Sequence, residues 1–353
     1  MRRVTGPQSA PGRPRVLFSS AWQKNIEIDD LSDFGLEVQI AYRTPDWKMS
    51  YPQRLLVYFL DSIRLIADAS NYSAIILSSA GFENCVVGII WRPYIFYRRL
   101  TRRRVPNLII LDPVFVRNTK LDFVYGWGLR SVTRFLCIRT GDIATLVRRY
   151  HVEARKCELV LMPAPQLDTD SIIVQQPIHD GGRYIYSAGE AFRDWELLLQ
   201  TARFLDCHLV LATRSIDPSA QDIPPNVILK SPLRPDEGRP IMRGAELVVM
   251  AFLDTDRSCG PTVILDALAL GLPIVSTDTN GARDYVVHGL TGLLSPPGDA
   301  EALAVNVRIL LDDAAMRAQM GAAAQEFART KLNRKTFEAN ISRLVHSSLA
   351  ELS

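Results

Sequence analysis

Cysteine and histidine are both scarce in this sequence, and neither set is patterned. The five cysteines (85, 137, 157, 207 and 259) form no C-x-x-C pair and are odd in number, which argues for a reducing compartment and against a disulfide framework. The five histidines (151, 179, 208, 288 and 346) show no i, i+4 pair and no zinc spacing, and none falls in the first 150 residues. No stretch of about 18 uncharged apolar residues occurs, so no membrane-spanning helix is expected. Residues 1–14 hold arginines, Gly, Pro and Ser without an apolar stretch, and read as a flexible arm, not a signal peptide. No short-period repeat is present. A net charge of +3 is too small to imply nucleic acid by itself.

What is present is a soluble globular composition, with 47% apolar and 22% charged residues. The length allows two domains with separate cores. Strands and helices alternate throughout, the pattern of parallel sheets with covering helices. In the first half, strands are predicted at 15–20, 37–42, 73–79, 108–112, 135–140 and 158–163. A helix is predicted at 51–69, with Leu55, Leu56, Phe59, Ile63 and Ile66 along one side. Pro163 and Pro165, with the polar residues 166–182, read as a linker. The second half gives strands at 184–187, 208–213, 226–230, 247–252 and 272–277, and helices at 194–205 and 262–270. The fold expected is α/β: two doubly wound halves with a cleft between them, and ligands at the carboxyl ends of the strands.

One run concentrates the chemistry. Ser258-Cys259-Gly260-Pro261 is a small-residue turn that opens an apolar helix, which stops at Gly271 with Pro273 beyond. The first N–H groups of such a helix lack internal partners and suit a phosphate. The same run also fits an ordinary helix–turn–strand unit with nothing bound.

The run and its sequel resemble the donor-binding signature of GT-B glycosyltransferases of the glycosyltransferase-4 type. The matching parts are Gly271-Leu-Pro273, Asn280-Gly281, Gly289 and Gly292, and Pro297-Gly298-Asp299. Their order and spacing agree over roughly seventy residues. The family usually has two glutamates eight positions apart. The second falls on Asp266, a shorter acid, and the first on Ser258, which is no acid. Asp254 and Asp256 lie just upstream, and spacing assigns neither.

The resemblance implies a GT-B architecture: a Rossmann-like acceptor domain at 15–165, a Rossmann-like donor domain at 166–330, and a C-terminal helix at 331–353 returning to the first domain. It implies a retaining, metal-independent hexosyltransferase that moves a sugar from a nucleotide-diphosphate sugar to a glycan, lipid-linked or other cell-envelope or secondary-metabolite acceptor. Domain closure would exclude water. Donor contacts are expected at Gly189, Arg193, Cys259, Gly260, Pro261, Thr262, Val263 and Asp266, with Ser258 and Asp256 as catalytic candidates. In this assignment the diphosphate meets residues 260–263 and Arg193, and the ribose diol meets Asp266. Glu190 stands where the family usually has an arginine.

Ser19, Ser20, Glu83 and Asp112 follow first-half strands and are acceptor-side candidates. The Gly-rich first loop and the first-domain histidine common among relatives are absent. No metal ligand set and no cofactor are expected. Cys259 reads as a small loop residue. Residues 91–104 hold six arginines and four aromatics. They fit either an anionic membrane surface or a helix with a basic outer end, and no nucleic-acid module accompanies them. A cytoplasmic location, peripheral at the inner membrane face, follows. Two other readings stand beside this one: a non-catalytic sugar-nucleotide-binding protein, and an epimerase or phosphorylase of GT-B shape.

Overall fold

A computed structural model describes residues 2–4, 13–20, 31–42, 50–78, 81–113, 115, 120, 122–175, 182–219, 222–255 and 261–351. The chain forms two compact units. One comprises Met1–Leu161 with Lys335–Ser353, the other Met162–Thr255 with Cys259–Arg334.

The first unit begins with β1 (Arg2–Val4), β2 (Arg15–Ser20) and β3 (Glu37–Tyr42), then α1 (Tyr51–Asp68), β4 (Ala74–Ser78) and α2 (Gly81–Leu100). It continues with β5 (Asn107–Leu111), α3 (Asp122–Leu129), β6 (Arg134–Cys137), α4 (Thr140–Tyr150) and β7 (Cys157–Leu159). The sheet order is β1-β3-β2-β4-β5-β6-β7, parallel except for β1. Every residue of β4 and β5 is buried, as expected of apolar runs covered on both faces. The arm predicted over 1–14 is therefore held at Arg2–Val4, which pairs antiparallel with Ile40–Tyr42 and covers the edge of β3.

The second unit contains β8 (Tyr184–Ala188), α5 (Trp195–Ala202), β9 (His208–Ala212), β10 (Val227–Lys230), α6 (Pro235–Arg243), β11 (Val248–Met250) and α7 (Thr262–Ala269). It then runs through β12 (Ile274–Thr277), β13 (Gly292–Ser295), α8 (Ala300–Asp312) and α9 (Ala314–Lys331). Its sheet is wholly parallel in the order β10-β9-β8-β11-β12-β13. That is the Rossmann order, with a switch point between β8 and β11 where ligands of such sheets bind. Each unit has its own core, around Leu77, Trp91, Ile110 and Phe135 in one and Leu198, Leu211, Val249 and Leu303 in the other.

The signature turns take the shapes their residues allow. Gly271 lies at φ +70° past α7, with Leu272 N–H reaching back to the Ala267 carbonyl. Asp299 caps α8 by accepting from the Ala302 amide at 2.9 Å. The last helix, α10 (Arg334–Ala350), buries Phe337, Ile341, Leu344 and Val345 within the first unit. Ser342 Oγ donates to the Phe34 carbonyl at 3.1 Å, and Asn107 Nδ2 donates to Ser348 Oγ at 2.9 Å.

Two sequence expectations change. The apolar residues predicted along one side of α1 divide: Leu56 is 59% exposed, and Phe59 and Ile63 are exposed too, whereas Ile66 is half-buried and packs on the first core. Residues 138–140 leave the strand predicted there, because Thr140 begins α4.

Candidate functional site

The turn after β8 is built around an arginine. Arg193 is only 7% exposed. Its Nε donates to the Ala188 carbonyl and its Nη1 to the Ala191 carbonyl, both at 3.1 Å. Its guanidinium lies 4.4 Å from the centre of the Phe252 ring, at the end of β11. Gly189, at φ +107°, makes room for it, since a Cβ there would come within 2.8 Å of Arg193 Nη2. Phe192 also takes a positive φ, +54°, which costs an L-residue on the order of 1 kcal/mol. Asp194 then caps α5, accepting from the Leu197 amide at 3.0 Å. Arg193 is thus not a solvated surface charge. It braces the loop between β8 and α5 and ties it to Phe252, just past β11.

Glu190 fixes the next turn. Its carboxylate accepts from the Arg214 amide at 2.9 Å, Ser215 Oγ at 2.7 Å and Thr213 Oγ1 at 3.1 Å. Burial pushes its pKa up, but these bonds and the charge of Arg214 outweigh burial and hold the carboxyl below its usual range.

Beside these loops, α6 and α7 bring a cation and an anion together. Arg239 on α6 donates to Oδ1 of Asp266 on α7 twice, from Nε at 3.1 Å and Nη2 at 2.8 Å. The Asp266 side chain is 13% exposed. Burial raises its pKa, and the Arg239 hydrogen bonds and charge offset only part of that rise. The Tyr186 phenol on β8 is raised as well, by burial first and then by the charge of Asp266. Its hydroxyl is close enough to α6 that a Cβ on Gly238 would approach it to 3.2 Å.

A cavity of about 290 Å³ opens here, at the carboxyl end of β8 and the first turn of α7. Gly189, Thr262, Val263 and Asp266, all expected from the sequence, line it together. Glu190, Arg214, Arg234 and Arg239 line it too, although sequence reasoning assigned them no donor contact. Pro261 is buried at the N-cap of α7. Asp256, Ser258, Cys259 and Gly260 lie outside the described residues. Among the described residues no cluster of His, Cys, Asp and Glu is suited to a metal ion.

The acceptor-side candidates stand at first-unit strand ends. Ser19 is fully buried on β2, and its Oγ has no hydrogen-bond partner among the described residues. Ser20 ends β2 and Glu83 lies in α2; the side chains of both lie outside the described residues. Asp112 follows β5 at φ +54° and pairs with Arg139 at 2.8 Å. Arg139 also bonds Asp142 at 3.0 Å, so the Asp112 carboxylate belongs to a buried charge network.

The segment 91–104 divides. Trp91 is 0% exposed and belongs to the core, not to the surface. Arg92 stacks on Trp127, 4.5 Å from its ring centre. Beyond them, Phe96, Tyr97, Leu100 and Arg99, Arg102, Arg103 and Arg104 are exposed. No described helix is long and apolar enough to cross a membrane.

Residues 190–313 match the family model for glycosyl transferases group 1. A segment of 51 residues is 41% identical to the amylovoran biosynthesis glycosyltransferase AmsK of Erwinia amylovora. That segment is 14% of this chain and 12% of the relative's length. Among solved structures, a sucrose-phosphate synthase from Thermosynechococcus elongatus superposes with TM-score 0.67 at 15% identity, over 96% of this chain and all (100%) of the other. The Anabaena protein HepE, solved in complex with UDP, gives 0.65 at 14% identity, over 94% of this chain and 100% of its own. The chain accordingly has the fold of GT-B glycosyltransferases, and residues 190–313, in its second unit, match the glycosyl transferases group 1 model.

Proposed function

We propose that this protein is a glycosyltransferase that moves a hexosyl group from a nucleotide-diphosphate sugar to an acceptor. The observation that carries the reading is the switch-point cavity, where Gly189, Thr262, Val263 and Asp266 converge. In this reading the ribose diol donates to Asp266 and the diphosphate lies against the first turn of α7. The unpaired amides of that turn and the arginines of the rim stabilise the leaving diphosphate as charge develops. Arg193 acts by shaping the loop and lending it positive charge. Ser258 and Asp256 are kept as the catalytic candidates of this reading. Retention of anomeric configuration and independence of metal are carried from the resemblance.

The acceptor is a glycan or a lipid-linked glycan, bound by the first unit. The capsular polysaccharide biosynthesis glycosyltransferase CapM of Staphylococcus aureus, 36% identical over 67 residues (19% of this chain and 18% of the relative), supports that class. Exposed Leu56, Phe59, Leu60 and Ile63 on α1, and Phe96, Tyr97 and Leu100 on α2 beside Arg99 and the arginines 102–104 that follow it, suit peripheral contact with anionic lipid at the cytoplasmic face. Sedimentation with vesicles tests this: binding to phosphatidylglycerol vesicles that salt weakens is expected, and equal partition with neutral vesicles refutes it.

The test of the activity is incubation with UDP-, GDP-, ADP- and TDP-sugars, following nucleotide release and sugar products. UDP-glucose comes first, because HepE has been solved in complex with it. Release of nucleoside diphosphate with transfer or hydrolysis supports the reading. Conversion to another sugar nucleotide points to an epimerase, phosphate-dependent release of sugar phosphate to a phosphorylase, and binding without turnover to a carrier.

A further inference from the structure

The Arg239–Asp266 pair is lopsided. An arginine fork commonly engages both oxygens of a carboxylate. Here Nε and Nη2 both fall on Oδ1. Oδ2 has no hydrogen-bond partner among the described residues, and both residues line the cavity. A carboxylate oxygen has about two acceptor sites, the number a vicinal diol needs.

The charged and titratable groups acting on Asp266 are Arg239 on α6 and the Tyr186 phenol on β8. α7 carries no other charge. Arg239 is therefore the cation that opposes the effect of burial on this carboxylate, and its double contact fixes the carboxylate's rotation. Asp266 is one methylene shorter than the glutamate the resemblance leads one to expect, so it reaches less far into the cavity and gains more from being aimed.

We propose that Arg239 is a positioning residue for nucleotide recognition: by gripping Oδ1 it presents Oδ2 of Asp266 to the sugar hydroxyls, and so makes the site select ribose over 2′-deoxyribose. The inference rests on the donor reading of this cavity.

Isothermal titration calorimetry with UDP, GDP and ADP, each against its 2′-deoxy form, tests it from about pH 5 to pH 8. The proteins compared are wild type, Arg239→Gln, Arg239→Lys and Asp266→Ala. Wild type is expected to favour at least one ribonucleotide by about tenfold, the size of one charge-assisted hydrogen bond. Arg239→Gln binds that ribonucleotide about tenfold more weakly and loses the preference. Its affinity also falls in acid from a higher pH than in wild type, because nothing then opposes the effect of burial on Asp266.

Arg239→Lys keeps the charge and loses the two-pronged grip. It shows a lowered ribose preference with a pH profile near that of wild type, and it decides the matter if the glutamine variant does not fold. A wild-type ribose preference retained in Arg239→Gln or in Arg239→Lys overturns the proposal, whatever happens to overall affinity. If wild type binds none of the nucleotides, or Asp266→Ala binds them equally well, the donor reading itself falls, which is a different failure.

Discussion

Glu190 occupies the place where the resemblance leads one to expect an arginine, and it puts a carboxylate in the lining of the cavity proposed to hold a diphosphate. Its neighbours resolve the conflict, since three hydrogen bonds and Arg214 absorb the charge. A carboxyl held below its ordinary pKa contributes stability above that value and loses it as pH falls through the folded pKa. Glu190→Gln should therefore be less stable than wild type at pH 7, with the gap closing in acid below about pH 4.5; urea titrations at the two pH values measure it. A gap that does not change with pH would contradict the assignment. Arg193 invites a second prediction. Arg193→Ala removes two hydrogen bonds and a ring contact from a buried position, so about 1–3 kcal/mol of stability should go with donor affinity. A variant that melts like wild type and fails only in donor binding would favour a clamp over a brace.

The elements differ in how plainly the sequence announces them. β4 and β5 are legible because a strand buried on both faces must be a nearly unbroken apolar run. α5 and α8 are legible from the capping residues Asp194 and Asp299. By contrast, α6 hides behind Pro235, Gly238 and Pro240, which read as a loop, and Arg239 was hidden with it. The signal was there: a proline in the first turn, with Glu237 accepting from the Arg234 amide at 2.9 Å, marks a helix start. The stripe on α1 misleads in the opposite sense, since helical spacing shows which residues share a face and not what covers it. Gly292 offers a check on the second sheet. A Cβ there would overlap the Ile274 carbonyl across the β12–β13 pair, so Gly292→Ala should cost about 1–3 kcal/mol or more, read as a lowered melting temperature. An unshifted melting temperature would mean that β13 does not pair as described.

At the scale of the whole molecule, the second unit explains itself from sequence to site more fully than the first. Its Rossmann strand order puts the switch point at β8 and β11, and Gly189, Thr262, Val263 and Asp266 meet there. In the first unit the charge network of Asp112, Arg139 and Asp142 and the buried Ser19 stand at strand ends without a sequence motif to name their role. The central claim is that the second unit holds a nucleoside diphosphate through Asp266. The direct measurement is the affinity of the purified protein for UDP, GDP, ADP and TDP, before and after Asp266→Ala. At 100 times its Kd, a bound nucleotide adds about 2.7 kcal/mol of stability, so thermal melting reports the same event independently. The account predicts saturable binding of at least one nucleotide and a loss of about tenfold or more in Asp266→Ala. Equal affinity in the two proteins, or no binding by wild type, would contradict it.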